Sequence, residues 1–145
     1  MPLTKVIALG TTGVAGGFTS QQVFTSSGTY TKPSGINKIL VIVTGAGGGG
    51  GAGTNANNVG GGGGAGGTAI ELIDVSSLSS TVAVTVGTAG TGGDADGSVH
   101  GTDGGTSSFG SYCSATGGKG AYNASSHNND YGEGGVGSNG DINLK

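Results

Sequence analysis

The chain has 145 residues, of which 37 are glycine and only 2 are proline, and its formal net charge is −3. Collagen is excluded, because it needs glycine at every third position together with abundant proline. All five cations are lysine. The absence of arginine argues against nucleic acid as a partner, because arginine is the usual reader of phosphates and bases.

The N-terminal region and the single cysteine bear on where the protein is made. The apolar run Val6–Leu9 is too short and too close to glycines for a signal peptide, so we expect synthesis in a cytoplasm without export by that route. Cys113 has no second cysteine to pair with. We expect it to be a small buried hydrophobe.

The first third of the chain predicts short strands. Lys5–Leu9 predicts the first one. Gln22–Phe24 and Thr29–Thr31 flank Ser26–Gly28, which is typical of a turn, and together they predict a β-hairpin.

Lys38–Val43 predicts the strongest strand. Ile39, Val41 and Val43 lie on one face. Leu40 and Ile42 lie on the other face. Because both faces are apolar, we expect this strand to be central and covered on both sides.

Later strands alternate in the same way. In Thr81–Val86 the valines at 82, 84 and 86 share one face, which we expect to point inward. No segment combines apolar residues at helical spacing with caps, so little or no α-helix is expected. The other predicted strands are Thr68–Val75, Thr106–Phe109, Ser111–Ser114 and Asp141–Lys145.

Glycine tracts follow or precede several strands, and within them glycine recurs at every third residue. Examples are positions 45, 48 and 51, positions 60, 63 and 66, and positions 87, 90 and 93. Polyglycine II helices have three residues per turn and no internal hydrogen bonds, so neighbouring helices must bond to one another. The alternative, a flexible glycine linker, is disfavoured by the strong strands that bound the tracts.

We therefore predict an all-β fold, a jelly-roll-like β-sandwich whose strands run into polyglycine II helices. An N-terminal attachment segment is predicted over residues 1–35, and a glycine-rich domain over residues 36–145.

Several motifs resemble functional sites without meeting their requirements. Gly10–Gly16 imitates a dinucleotide-binding turn, but no helix pattern follows it. No serine lies in a nucleophile-elbow context, and no carboxylates are spaced for acid–base work. We therefore predict no enzyme activity and no cofactor.

Asp94, Asp96, His100 and Asp103 lie within ten residues. Carboxylate oxygens are ligands that calcium prefers, so a calcium site is one alternative. The EF-hand spacing and tandem nonapeptide repeats are absent. We expect a solvated loop tip without metal, and the sequence leaves calcium open.

The segments between glycine tracts are rich in Asn, Asp, Ser and Tyr, which is typical of turns and of adaptable contact surfaces. We predict that these loops contact a receptor. The candidate residues are Asn55, Asn57, Asn58, Asp96, His100, Tyr122, Asn123, His127, Asn128, Asn129 and Tyr131.

The order of motifs resembles the glycine-rich domain of bacteriophage tail fibre and tail tip proteins over residues 20–145. The motifs that carry this resemblance are Val23–Gly35, Lys38–Val43, Gly45–Gly51, Gly64–Ala69, Val84–Gly87, Gly105–Gly110 and Ala115–Gly118. Some of these adhesins are similar in carrying polyglycine II helices with exposed variable loops.

The resemblance implies a virion protein at a tail or fibre tip, made in the host cytoplasm. It implies contact with a host surface glycan or an outer-membrane protein, with residues 1–22 attached to other virion proteins. We expect a homo-oligomer and take a trimer as the working number.

Two other functions stay open. One is a self-assembling capsid decoration or filament subunit without receptor binding, because exposed strand edges and bare glycine ridges can pair between chains. The other is ice binding, but this chain lacks the sustained three-residue repeat and the disulfides of such proteins.

Overall fold

The computed structural model describes residues 6–11, 20–53, 58–96, 99–123 and 131–145. Within these ranges the chain forms ten strands, one short 3-10 turn at Val75–Ser77 and no α-helix. No helix there is long and apolar enough to cross a membrane. The strands are β1 Val6–Thr11, β2 Ser20–Phe24, β3 Gly28–Thr31, β4 Lys38–Thr44, β5 Thr68–Asp74, β6 Thr81–Thr85, β7 Ser107–Phe109, β8 Cys113–Ala115, β9 Gly137–Ser138 and β10 Ile142–Leu144.

Sheet 1 contains five antiparallel strands in the order β10-β5-β4-β1-β2. β4 is its central strand, as its apolar sequence predicts. Ile39, Val41 and Val43 are buried, whereas Leu40 and Ile42 on the opposite face are half-buried. The two-residue alternation of a strand therefore assigns each side chain of β4 to the predicted face.

Sheet 2 contains the other five strands in the order β3-β6-β7-β8-β9, again all antiparallel. Val82 and Val84 of β6 are buried, and the residues beside them are exposed. Val86, just beyond the end of β6, packs partly against the same core. The inward face of β6 is thus the predicted one.

The buried faces of the two sheets pack against each other in a sandwich-like arrangement, which confirms the predicted fold class. The ring of Phe109 is fully buried and meets the ring of Tyr30 edge-on, with centroids 5.3 Å apart. Such pairs add to the stabilisation from area burial. The core consists of Tyr30, Ile36, Ile39, Val41, Val43, Ala69, Ile73, Leu78, Val82, Val84, Phe109, Cys113 and Ala115.

The predicted hairpin over residues 22–31 is wrong. β2 pairs with β1 in sheet 1, whereas β3 pairs with β6 in sheet 2. The turn at residues 25–27 therefore carries the chain from one sheet to the other. Turn residues indicate where the chain bends, but they do not determine which strands pair. The division at residue 35 stays a prediction, although β1, β2 and β3 all contribute to the two sheets.

The prediction that β4 is covered on both faces is wrong for the outer face of sheet 1. Val23, Ile7, Ile42, Ile70 and Ile142 are register partners across all five strands and form one row. Each is at least partly exposed. In the part of the chain that the structure describes, these side chains shield one another sideways without being buried. We call these five residues the aliphatic row.

Glycine-rich segments extend from the ends of the strands and have no strand or helix of their own. They bond to one another through their backbones, and together we call them the glycine bundle. Its six segments among the described residues are I (45–51), II (60–67), III (87–93), IV (101–105), V (116–121) and VI (132–136).

Hydrogen bonds between segments recur at every third residue. The amides of Gly45, Gly48 and Gly51 donate to segment II with N···O distances of 2.8–2.9 Å. The amides of Ala46 and Gly49 donate to segment IV, while segments III and V donate to carbonyls of segment I. This spacing is what packed polyglycine II helices require. The torsion angles that define that helix type stay a prediction.

The bonded pairs also determine how the segments are arranged. Segments III and IV, I and V, and II and VI form three rows of two, and further bonds link each row to the next. Segments I, III and V each follow a strand, and segments II, IV and VI each lead back into one. The described ends of the three connecting loops therefore lie at the end of the bundle that faces away from the sheets.

Glycine is required where two segments face each other. A Cβ added at Gly48 would collide with the carbonyl of Lys119, and one added at Gly63 would collide with the carbonyl of Gly48. At Gly47 the nearest atom would be 3.8 Å away, and at Gly62 nothing lies within 4 Å. Some positions of each turn therefore face outward and accept a side chain.

Candidate contact surface

Three loops meet at the end of the bundle, and Asn123 connects them. Its side-chain oxygen accepts a hydrogen bond from the Ala52 amide at 2.7 Å. Its Nδ2 donates to the carbonyl oxygens of Asp94 at 3.1 Å and Val99 at 2.6 Å, and its own amide donates to His100 Nδ1 at 2.9 Å. We call these five residues, together with Tyr122, the tip cluster.

The role of Asn123 differs from the one predicted. It was a candidate for receptor contact, but its side chain is only 9% exposed. A carboxamide offers two donors and one acceptor, and this site uses both kinds of group. Asn123 therefore holds the described loop ends in position, while its neighbours His100 and Tyr122 are exposed. The contact of these residues with a receptor stays a prediction.

His100 and Tyr122 form an aromatic pair in the exposed part of the tip cluster, which also includes Val99. Their rings meet at 69° with centroids 4.9 Å apart, an edge-on geometry that aromatic rings favour. Because His100 Nδ1 accepts a hydrogen bond, the neutral ring carries its proton on Nε2. Tyr122 is 60% exposed, and Tyr131 on the far side of the same loop is 76% exposed. Large apolar groups are thus presented at this end of the molecule.

The acidic residues of the 94–103 region serve different contacts. Asp94 Oδ1 accepts from the Val99 amide at 2.9 Å and closes its own loop. Asp103 bonds instead to Lys119 on segment V. Asp96 is exposed. Among the residues that the structure describes, no group of three His, Cys, Asp or Glu side chains is placed to hold a metal ion.

The remaining predicted contact residues divide in two. Asn58 is described and half-buried at the start of the chain leading into segment II. The others lie outside the described residues; they are Asn55, Asn57, His127, Asn128 and Asn129.

A groove of about 700 Å³ runs along one side of the bundle next to the tip cluster. Three charged residues line its middle: Asp103 of segment IV, Lys119 of segment V and Glu133 of segment VI. Two tyrosines, Tyr122 and Tyr131, line its outer end. We call it the side groove. It continues toward the sheets as a second depression of about 430 Å³, which shares the three charged residues.

Asp103 and Lys119 are paired across the side groove. Lys119 Nζ donates to Asp103 Oδ2 at 2.7 Å, and the Gly120 amide donates to Asp103 Oδ1 at 2.9 Å. The hydrogen bond from Lys119, followed by the one from Gly120, holds the pKa of Asp103 below its ordinary value. The same pairing raises the pKa of Lys119. Both groups are therefore charged over a broad pH range.

Sequence reasoning missed the side groove, although a signal for it was present. Thr116, Lys119 and Tyr122 are three residues apart on segment V and its continuation, and all three are exposed. Non-glycine residues at this spacing mark the outward ridge of a helix with three residues per turn. The spacing identifies the ridge, but it does not reveal which segments lie beside it.

Cys113 is a buried residue of β8, as predicted. Burial, and then the negative charge of Glu71, raise the pKa of its thiol to about 12. A thiol with such a pKa stays protonated at neutral pH and is a poor nucleophile.

The strand sandwich, the backbone-bonded glycine bundle and the exposed loops define an all-β glycine-rich module. A family model described as a glycine-rich domain matches residues 19–144. The chain belongs to this glycine-rich domain family. No curated protein and no solved structure matches it.

Proposed function

We propose that this chain is a phage virion protein, a tail fibre or tail tip subunit that presents the loops of the tip cluster to the host surface. The main support is that Asn123 fastens three loops to a backbone-bonded bundle, with Tyr122 exposed beside it. A contact surface held in position before binding loses less entropy on binding. The resemblance of the motif order to phage tail proteins supports the setting.

The partners follow from the same proposal. The loops face a host surface glycan or an outer-membrane protein, and the N-terminal segment over residues 1–22 attaches the chain to other virion proteins. Copies of the chain associate, with a trimer as the working number.

The aliphatic row supports an alternative function, a self-assembling capsid decoration or filament subunit without receptor binding. The row crosses all five strands of sheet 1 and is partly exposed. At about 4.8 Å per strand, five strands span on the order of 20 Å. Exposed apolar patches of such extent commonly mark protein–protein contacts.

Two matched double variants distinguish the functions in purified particles. Tyr122→Ser with Tyr131→Ser removes the exposed rings and leaves Asn123 in place. Val23→Ser with Ile142→Ser removes the two half-exposed ends of the aliphatic row. Antibody labelling of the chain, imaged by electron microscopy, locates it on the particle, and adsorption to host cells measures binding.

If the proposal holds, label appears at a tail or fibre tip, and the tyrosine variant assembles normally but adsorbs at least tenfold more slowly. If the alternative holds, the tyrosine variant adsorbs normally and the aliphatic variant fails to be incorporated. Particles that carry no label at all would overturn both.

A further inference from the structure

The side groove has the dimensions and chemistry of a binding site separate from the loop tips. It lies on the flank of the glycine bundle, and its main cavity of about 700 Å³ falls within the range of ligand pockets. The backbone of segments IV, V and VI forms its base. Amides of segment IV donate hydrogen bonds to segment V, and amides of segment V donate to segment VI. The groove therefore has a preformed base.

The two tyrosines at its outer end supply apolar surface. Tyr122 and Tyr131 are mostly exposed, and the ring of Tyr122 is supported edge-on by His100. Tyrosine combines a rigid apolar ring with a polar hydroxyl and has few rotamers to lose on binding. Two such rings beside a cavity suit a ligand with flat C–H faces edged by hydroxyls.

The charges in the groove are arranged for hydroxyl groups. Asp103 and Lys119 largely neutralise each other across 2.7 Å. The carboxylate of Glu133 has no hydrogen bond to another described side chain or amide, and it faces the groove. A carboxylate is an acceptor for two hydroxyl donors, and an ammonium is a donor to hydroxyl oxygens.

We propose that the side groove binds a neutral, linear saccharide, whose ring faces pack on Tyr122 and Tyr131 and whose hydroxyls bond to Glu133 and the Asp103–Lys119 pair. This inference deepens the proposed function by naming the class of ligand, and it rests on that function only for the host surface as the source of the saccharide.

The charge balance selects neutral over acidic saccharides. With two carboxylates and one ammonium, the main cavity carries a formal charge of one negative unit from Asp103, Glu133 and Lys119. A further cation, Lys145, lines only the second depression. An acidic sugar would meet this charge with its own and would have to displace Asp103 from Lys119. Like charges brought together in a partly desolvated site are costly.

The continuation of the groove favours a chain over a single sugar. The second depression of about 430 Å³ shares Asp103, Lys119 and Glu133 with the first and extends past Thr116 toward Lys145. Tyr122 lies six positions after Thr116, and six steps at the 3.1 Å rise of a three-residue helix correspond to roughly 19 Å. A ligand that spans this length contacts both depressions.

The binding test uses the purified full chain with three defined probes: maltohexaose and chitohexaose as neutral chains, and a hyaluronan hexasaccharide as an acidic one. The protein contains four tyrosines and no tryptophan, and two of the tyrosines line the groove, so a change in tyrosine fluorescence that is lost in Tyr131→Ala reports on the groove. Amide NMR shifts of segment V provide a second readout. We expect at least one neutral probe to bind and to shift the amides of Lys119 and Gly120, while the acidic probe binds at least tenfold more weakly.

Variants locate the site. Tyr131→Ala, at a fully described exposed position, is expected to weaken binding about tenfold, the usual loss for a buried aromatic contact. Glu133→Gln keeps the shape and is expected to weaken binding a few fold. Val59→Ala is the control, since Val59 is 73% exposed but lies outside the groove, and its affinity should match the parent chain.

Three results would overturn the inference: no neutral probe binds, the acidic probe binds more tightly, or Tyr131→Ala and Glu133→Gln bind as well as Val59→Ala. NMR spectra of each variant show whether it is folded. If no probe binds but the antibody labels a tail or fibre tip, the saccharide proposal is wrong and the proposed function stands. If a neutral probe binds but the antibody labels no particle, the proposed function is wrong and the saccharide site stands.

Discussion

The sandwich and the glycine bundle are held together in opposite ways. In the sandwich, large side chains such as Phe109 fill the space between two sheets, and each strand bonds only to its sheet neighbours. In the bundle, segment I bonds to four other segments through its backbone alone. The bundle is therefore stabilised by residues small enough for backbones to approach, whereas the sandwich is stabilised by side chains large enough to fill its core.

This difference predicts opposite responses to the same kind of change. Removing atoms harms the sandwich because it leaves a cavity. Adding a single carbon harms the bundle wherever two backbones face each other, because carbonyl oxygens occupy that space. The clearest test adds the same methyl group, by a glycine-to-alanine substitution, at two adjacent positions of which only one faces another backbone.

The largest effect is expected for Phe109→Ala in the sandwich. The ring is fully buried and contacts Tyr30, so its loss should reduce the free energy of unfolding by about 4 kcal/mol. Phe109→Leu keeps much of the volume and should cost about 1 kcal/mol. Urea denaturation measures both, and a loss below about 1 kcal/mol for alanine would mean that the core is not the main support of the sheets.

Gly48→Ala and Gly47→Ala form the matched pair for the bundle. At Gly48 the new Cβ collides with the Lys119 carbonyl, so segments I and V must separate, and we expect a loss of about 3 kcal/mol. At Gly47 the nearest atom is 3.8 Å away. There alanine should stabilise the fold by about 0.5 kcal/mol, because it restricts the unfolded chain.

Denaturation and amide exchange together test this pair. The amides of Gly45, Gly48 and Gly51 should be protected in the parent chain, since each donates to segment II. If the two alanine substitutions changed the free energy of unfolding equally, or if the amides of segments I and II were unprotected, close backbone packing would not be what stabilises the bundle. Gly63→Ala and Gly62→Ala repeat the contrast in segment II, with the same expected signs.

The comparison also explains what could be predicted from the sequence. In the sandwich, alternation along β4 and β6 assigns side chains to faces, because a strand has a period of two. Strand partners are harder to predict than faces. The residues of the turn at 25–27 do not indicate that β2 and β3 join different sheets. A turn signal is local, whereas pairing depends on the whole core.

In the bundle, the period of three is visible in the sequence, but the neighbours are not. Glycines carry no side chain that distinguishes one segment from another, so nothing local brings Asp103, Lys119 and Glu133 to one groove. The tip cluster shows the same limit. Composition drew attention to the loop containing Asn123, but it could not distinguish an asparagine that connects loops from one that is exposed.

The smallest predicted effect is the pH dependence of the Asp103–Lys119 pair. The pKa of Asp103 is lowered in the folded chain, so its contribution is present above its unfolded pKa and is lost as the pH falls through the folded value. The pKa of Lys119 is raised, so its contribution is present below its unfolded pKa and is lost as the pH rises through the folded value. Both side chains are more than half exposed, so water and salt weaken the pair.

Asp103→Asn, Lys119→Met and the double variant form a thermodynamic cycle that isolates the pair. Urea unfolding across the pH scale should give a small coupling energy that is level between the two pKa values and vanishes in acid and in alkali. It should also shrink in 1 M salt. A coupling that persists unchanged at acidic pH would show that the carboxylate charge does not contribute, and that an uncharged contact between the two side chains links the segments at the bundle's flank.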